Sequence, residues 1–314
     1  MKTILVTGGS GLVGNAIKTL ENEFVNYNFL FLNSKICDLT NYNELISLFN
    51  TIKPNIIIHL AACVGGLFKN MAQKVKMFED NILINTHVIK AANAIGVKDL
   101  IACLSTCVFP DKTEYPIDET MLNNGPPHHS NEGYAYSKRM MELHCKLYNE
   151  SCGTNYICII PTNIYGPHDN FNLEDGHVIP SLIHKCYLAK KEGIPFEVKG
   201  SGRPLRQFIY SMDLAKLIML ILENNELIGT RLGNIILSPV EEYSIREVAE
   251  LINSHFGNEI IFNENYSDGQ YRKTADNSKL KKLLKKVNFE FTDLKDGISQ
   301  SVNFFITNRD NLRT

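Results

Sequence analysis

The chain has 314 residues, 44% of them hydrophobic, which is enough for one large α/β unit or two modest ones. A formal net charge of −2 supplies no broad basic field, so neither nucleic acid nor an anionic membrane is an expected partner, and any anion has to be gripped locally. No apolar run approaches about 18 residues and Met1-Lys2 leads straight into a strand-like segment, so a cytoplasmic location without a membrane span is expected.

In chain order, the first half alternates short β-branched runs with helical patterns. TILVT (3–7) reads as a strand, a helix opens at Gly11, FLFL (29–32) is a second strand, and a helix covers 41–52. NIIIHL (55–60), a long helix near 70–95, DLIACL (99–104), a helix near 132–151 and YICII (156–160) follow. Strands that are apolar throughout, each followed by a helix, imply a parallel sheet covered on both faces. After PTNIYGPHDNF (161–171) the units shorten: a helix near 178–192, strands in FEVKG and QFIYS, helices near 212–224 and 244–256, a strand near 259–263, and a lysine-rich stretch 279–286 read as a solvated helix face. The boundary falls near 165, separating residues 1–165 from a smaller unit at 166–314, some segments of which are expected to return to the first. NNGPPHHSNEG (123–133) reads as an ordered or closing loop beside a site. The eight cysteines show no paired spacing and read as reduced, mostly buried thiols. No structural metal is expected, although His177, His184 and Cys186 keep zinc open on sequence alone.

TGGSGLVG (7–14) follows the first strand and opens a helix, with glycines at 8, 11 and 14. Such a turn lets the backbone approach a pyrophosphate that the helix N-terminus attracts. At the end of the second strand, where a carboxylate would hold the 2′-hydroxyl of NAD, the chain reads Asn33, Ser34 and Lys35. Nothing there repels a 2′-phosphate and Lys35 is able to pair with one, so NADP(H) is the expected cofactor. Further along, Tyr134 and Lys138 stand four apart at the start of a helical pattern, on one face. An ammonium beside a phenol lowers the phenol's pKa and readies it to protonate a developing alkoxide.

As an isolated pair these two are commonplace, but with Ser105 and the glycine loop they resemble the extended short-chain dehydrogenase/reductase family. That resemblance implies a Rossmann-type doubly wound parallel sheet with a smaller C-terminal α/β substrate domain, and a catalytic set at Ser105, Tyr134 and Lys138, with Tyr136 at the wrong spacing. It also implies cofactor contacts from Gly8, Gly11, Leu12, Val13, Gly14, Ser34, Lys35, Asp38, Leu39, Ala61, Ala62, Tyr134, Lys138, Pro161 and Asn163. Dehydratases of the family carry an Asp-Glu pair after the Ser/Thr-Thr; this chain has Thr106, Cys107 and Val108, so their catalytic acid is missing. A simple 4-epimerase or a dehydratase with tightly bound NAD remains the alternative, and in a 4-epimerase Cys107 would be idle.

A third chemistry uses the thiol. Protons at C3 and C5 of a 4-keto sugar are both α to the carbonyl, and inverting either carbon needs two groups, one on each face. A thiol with an ordinary pKa of about 8.5 and an imidazole near 6.5 suit that work. His177, just ahead of a helical pattern after the polar NLEDG loop, is the candidate imidazole; His168, directly after Gly166-Pro167, ranks behind it as a turn residue. STCVFP, PTNIYGPHDNF, GHVIP, LRQFIYSMDLA and SDGQYRKTADNSKL together resemble the family's bifunctional 3,5-epimerase/4-reductases, which act on GDP-4-keto-6-deoxy-D-mannose. The resemblance implies that Cys107 and His177 epimerise, and that Tyr134, helped by Ser105 and Lys138, protonates the C4 oxygen as NADPH delivers hydride. Arg206 and Lys273 would contact the nucleotide diphosphate, with Arg203 and Arg272 solvated, and the substrate would touch Ser105, Cys107 and His177. A homodimer through the helices near 70–95 and 132–151 is implied too. One departure is Lys199, where the family often has tryptophan; this chain has none.

Overall fold

The computed structural model describes residues 1–224, 232–268, 270–285 and 287–312. Six parallel strands form the main sheet: β1 (Lys2–Thr7), β2 (Tyr27–Leu32), β3 (Ile56–His59), β4 (Asp99–Cys103), β5 (Asn155–Pro161) and β10 (Asn234–Leu237), in the order β10-β5-β4-β3-β1-β2. The helices between them are α1 (Leu12–Leu20), α2 (Tyr42–Ile52), α3 (Leu67–Ala72), α4 (Lys74–Ala94), α5 (Glu132–Cys152), α6 (Val178–Glu192) and α7 (Ser211–Glu223).

Alternation along the strands divides the core into two layers. Leu5, Ile57 and Leu100 point to one face and pack with Leu45, Phe49, Val88 and Met141, while Ile4, Val6, Ile58 and Ile101 face Ile17, Leu214 and Ile218. Local signals set the ends of several helices. Asn41 accepts the N–H groups of Asn43 and Glu44 at the start of α2, and glycines in the left-handed conformation close α5 and α6 at Gly153 and Gly193.

A third apolar cluster, around Tyr165, Phe171, Ile183, Phe196, Phe208 and Phe305, lies under the smaller elements. Those are β6 (Asn163–Tyr165), β7 (Phe196–Lys199), β8 (Leu205–Arg206), β9 (Phe208–Tyr210), β11 (Tyr243–Ser244), α8 (Ile245–Asn253), β12 (Ile260–Asn263), α9 (Ser278–Leu284) and α10 (Leu294–Asn308). They pair in twos: β6 with β9, β7 with β12, and β8 with β11. The segment α7–β10 returns to the main sheet, where β10 pairs with β5.

Several elements differ from the sequence expectation. The long helix near 70–95 is two helices, α3 and α4, broken at Gln73 without a glycine or proline. Tertiary contact accounts for the break: the Gly66 N–H donates to Asp175 O (2.9 Å) and Lys69 pairs with Asp175 (3.2 Å), drawing α3 toward the 170–177 loop. The lysine-rich stretch is solvated at Lys281, Lys282 and Lys285, but Lys279 donates to the carbonyls of Leu232 and Asn234 beside β10, and Leu280 and Leu283 are buried. Lys286, at the end of that stretch, lies outside the described residues. Strand β10 and helix α10 have no counterpart in the expectation. Four residues of strand carry little periodicity, and α10 holds Gly297 and the poor helix formers Val302 and Thr307.

Gly297 shows what α10 packs against, since a β-carbon there would sit 2.1 Å from the hydroxyl of buried Tyr165. Alanine in an open helix site would add stability. Here Gly297→Ala should instead lower unfolding free energy by about 1–3 kcal/mol through overpacking, read as a fall in urea midpoint at unchanged slope.

Candidate active site

The glycine turn is built for close approach of a ligand. Gly8 has φ 71°, and a β-carbon there would come within 2.7 Å of the Ala61 amide nitrogen; one on Gly14 would lie 2.6 Å from the Gly8 carbonyl oxygen. The Gly11 N–H donates to that same carbonyl (3.0 Å), and Gly11 caps α1 without a side chain, so the first-turn N–H groups of Leu12, Val13 and Gly14 meet a phosphate unobstructed. A dinucleotide pyrophosphate fits this cradle, which a methyl group at position 8 or 14 would close.

Gly9 N–H donates to Leu32 O (2.7 Å), which brings the turn against the end of β2. There Asn33 accepts the N–H groups of Lys35 (2.9 Å) and Ile36 (3.2 Å), and this small turn leaves Ser34 and Lys35 exposed. Asp38 is exposed beyond it, its carboxylate held by the Thr40 N–H and hydroxyl, and the half-buried Leu39 accepts from His87. Ala61 and Ala62 follow β3, Pro161 ends β5, and Asn163 donates to Gln207 O (2.8 Å).

At the C-terminal edge of β4, Ser105 caps a short turn at 106–108 and accepts the Cys107 N–H (3.4 Å). Leu104 and Val108, on either side, join the apolar core, but Cys107 is surrounded by chemistry. Burial raises its thiol pKa; Lys273, a hydrogen bond with Ser105, and Lys138 oppose that rise. No spacing in the sequence links Lys273 to this sulfur. The strap carrying it is laid there by backbone bonds from Ile117 N–H to Thr274 O (2.9 Å) and from Asp276 N–H to Ile117 O (2.7 Å). Arg206 holds the same strap, donating to Gln270 O (2.6 Å) and Tyr271 O (3.4 Å). Arg272, expected to be solvated, pairs at the surface with Glu242 (2.5 Å).

Lys138 is 1% exposed and donates to Cys103 O at 2.8 Å. Its ammonium lies 5.7 Å from the Tyr134 ring centroid. The expectation that it lowers the phenol's pKa is not met: burial, with Cys107, Cys103 and Cys63 nearby, pushes Tyr134 well above its ordinary value. The phenol keeps its proton at neutral pH, as a donor must. Tyr136, at the wrong spacing, lies under the Arg139 guanidinium instead.

His177 is the residue before α6, and its ring is open to solvent while enough protein surrounds it to lower its pKa by desolvation. Its loop is tied to the segment that carries Cys63, through Asp175 to Gly66 and Lys69. Asn81 of α4 grips Cys63 at both its N–H and its carbonyl (2.9 Å each). The same wall therefore leads from Tyr134 to His177. His168 has φ 66° and packs its ring tilted against Phe304, centroids 4.4 Å apart, a loop-packing role. His184 and Cys186 turn to Phe171 O and Asn253, and among the described residues no three His, Cys, Asp or Glu side chains are grouped to hold a metal.

Sequence patterning did not single out His59. Its ring is fully buried at the end of β3, 2.8 Å from the Thr7 hydroxyl and 3.1 Å from Asn85 Oδ1. A proton assigned to Nε2 satisfies every partner: Thr7 donates to the ring and accepts the Ala61 N–H, while Asn85 donates to Ser137 O. The glycine turn and helix α5 thus share one buried polar chain. Burial, then Lys138, lowers the His59 pKa to about 3. Unfolded, the ring takes a proton near pH 6.5, so acid below that value favours the unfolded chain until about pH 3. Between pH 7 and 5, wild type should lose about 2 kcal/mol more unfolding free energy than His59→Gln, measured by urea titration; equal losses would contradict this.

The NAD dependent epimerase/dehydratase family model matches residues 4–235. GDP-L-fucose synthase of Dictyostelium discoideum is 50% identical over 318 residues, spanning 99% of this chain and 98% of that protein. A probable GDP-L-fucose synthase of Drosophila melanogaster is 45% identical over 326 residues, spanning 100% of both. The crystal structure of a GDP-L-fucose synthetase from Naegleria fowleri bound to NADP superposes with a TM-score of 0.90 at 40% identity, covering 100% of this chain and 96% of that one. A likeness that runs from the first strand through the last helix, on a site of this geometry, makes the chain a member of the NAD dependent epimerase/dehydratase family.

Proposed function

We propose that the chain carries out NADPH-dependent 3,5-epimerisation and 4-reduction of GDP-4-keto-6-deoxy-D-mannose to GDP-L-fucose. The observation that carries this reading is the placement of Cys107: a buried thiol at the C-terminal edge of the sheet, hydrogen-bonded to Ser105 and within electrostatic reach of Tyr134, Lys273 and Lys138. A thiol so placed serves proton transfer. It does not serve the elimination of water, for which this position would need a carboxyl acid.

Tyr134 and Ser105 supply donors to the C4 oxygen, which carries negative charge once a proton leaves C3 or C5. Cys107 and His177 then take and return protons on opposite faces of the sugar. Bound NADPH supplies the hydride that reduces C4. As C4 is reduced, Tyr134 gives its proton to the oxygen, and the buried Lys138 ammonium offsets the phenolate left behind. Gly8 to Gly14 would hold the cofactor pyrophosphate, Ser34 and Lys35 would meet its 2′-phosphate, and Asp38, Leu39, Ala61, Ala62, Pro161 and Asn163 would line the rest. Lys273 and Arg206 stand where the strap meets the cleft and would meet the diphosphate of the sugar nucleotide. Lys199 lies 4.7 Å from the Tyr266 ring, a cation–aromatic pair at the position where the family often has tryptophan.

Residues 1–165 with the returning α7–β10 segment bind cofactor in this reading, and the remainder of 166–314 binds the sugar nucleotide. A homodimer belongs to this reading, supported by the exposed apolar residues Val75, Phe78 and Leu83 on α4 and Met140, Leu143 and Leu147 on α5, two helices packed side by side. No helix among the described residues is long and apolar enough to cross a membrane, and a cytoplasmic enzyme is proposed.

With the 4-keto sugar, NADPH should be consumed stoichiometrically as GDP-L-fucose forms; turnover without net cofactor loss would instead indicate a 4-epimerase. In deuterated water Cys107→Ser should slow deuterium entry at C3 and C5 by about 100-fold or more, yet still reduce an already epimerised intermediate. Exchange at the wild-type rate would remove the thiol from the mechanism. Tyr134→Phe should slow both half-reactions, since its hydroxyl supports the enolate oxygen and then protonates it, with reduction slowed about 100-fold or more.

A further inference from the structure

Arg139, directly after Lys138 on α5, is only 6% exposed. Its Nε donates to Val108 O at 2.6 Å, its guanidinium stands 5.4 Å from the Tyr136 ring centroid, and its Nη2 is buried without a hydrogen-bond partner. A buried guanidinium held by one carbonyl and one aromatic face is costly, and an apolar side chain of similar volume would pack there more cheaply. Its geometry suggests what it does. Lys138 grips Cys103 O and Arg139 grips Val108 O, so neighbouring cations of one helix hold both ends of the segment presenting Ser105 and Cys107. One turn earlier the same helix presents Tyr134.

We infer that Arg139 is a positioning residue for epimerisation: its bond to the Val108 carbonyl fixes the 106–108 turn so that the Cys107 sulfur keeps a set station relative to Tyr134. Tyr136 is the platform under the guanidinium. This inference rests on the function proposed above. Reduction depends on Tyr134, Lys138 and Ser105, and Ser105 stands at the end of the segment that Lys138 holds through Cys103 O, so loss of Arg139 should fall much harder on epimerisation than on reduction.

Arg139→Met removes the charge and the donor at similar length, and Arg139→Lys keeps both. Deuterium entry at C3 and C5 should fall by about tenfold or more in Arg139→Met, while reduction of the already epimerised keto sugar stays within about threefold, and Arg139→Lys should recover most of the loss. Equal falls in both half-reactions, or none in either, would overturn the inference. Absence of deuterium entry in the wild type would count against the proposed function itself. The positioning claim is then decided without substrate, by amide hydrogen exchange. Residues 105–109, whose turn includes Val108 N–H to Ser105 O (3.1 Å), should exchange at least about fivefold faster in Arg139→Met and return to near wild type in Arg139→Lys, with residues 4–6 of β1 unchanged. Unaltered exchange in 105–109 would refute it.

Discussion

The centre of this molecule depends on an ammonium group kept out of water. Lys138 donates to the Cys103 carbonyl at the last residue of β4, almost wholly buried, and so fastens α5 to the edge of the sheet. A lone buried cation is tolerable only with strong local partners, and its own pKa is lowered by the burial. In return it places a positive charge beside a phenol that burial alone would hold neutral. The phenol is thus a stable acid at rest, and the charge left when it gives up its proton is already matched.

That anchorage organises the residues around it. Thr7, His59 and Asn85 run as a neutral chain from the glycine turn to the carbonyl of Ser137, next to Lys138. On the other side the 271–277 strap crosses from the smaller unit to lay Lys273 against Cys107. In the proposed function the acid for C4 stands on a helix, and the two groups for C3 and C5 stand on a short turn and at a helix entrance.

Much of the architecture was legible because the parallel sheet writes itself in apolar runs and the glycine turn in its spacing. Ser105, Tyr134 and Lys138 stood out as a set only through the family that they and the glycine turn together resemble, each being commonplace alone. The thiol's setting was not legible. Lys273 and Arg139 act on Cys107 through packing between distant segments, and no periodicity in either segment signals it. Nor was His59 visible, since a histidine inside an apolar strand reads as filler until Thr7 and Asn85 are seen around it. The break at Gln73 and the strand β10 were missed because tertiary contacts, not local propensity, make them. The expected lowering of the Tyr134 pKa failed because helix spacing brings Lys138 near but carries no sign of the burial that raises the phenol in the resting protein.

The central claim is that proton traffic at C3 and C5 belongs to side chains of this protein and does not wait for reduction at C4. The direct measurement is incubation of the wild-type protein with GDP-4-keto-6-deoxy-D-mannose in deuterated water with NADPH omitted, followed by mass and NMR analysis of the recovered sugar. The account predicts deuterium at both carbons. A recovered sugar free of deuterium, or labelled only after NADPH is added, would contradict it.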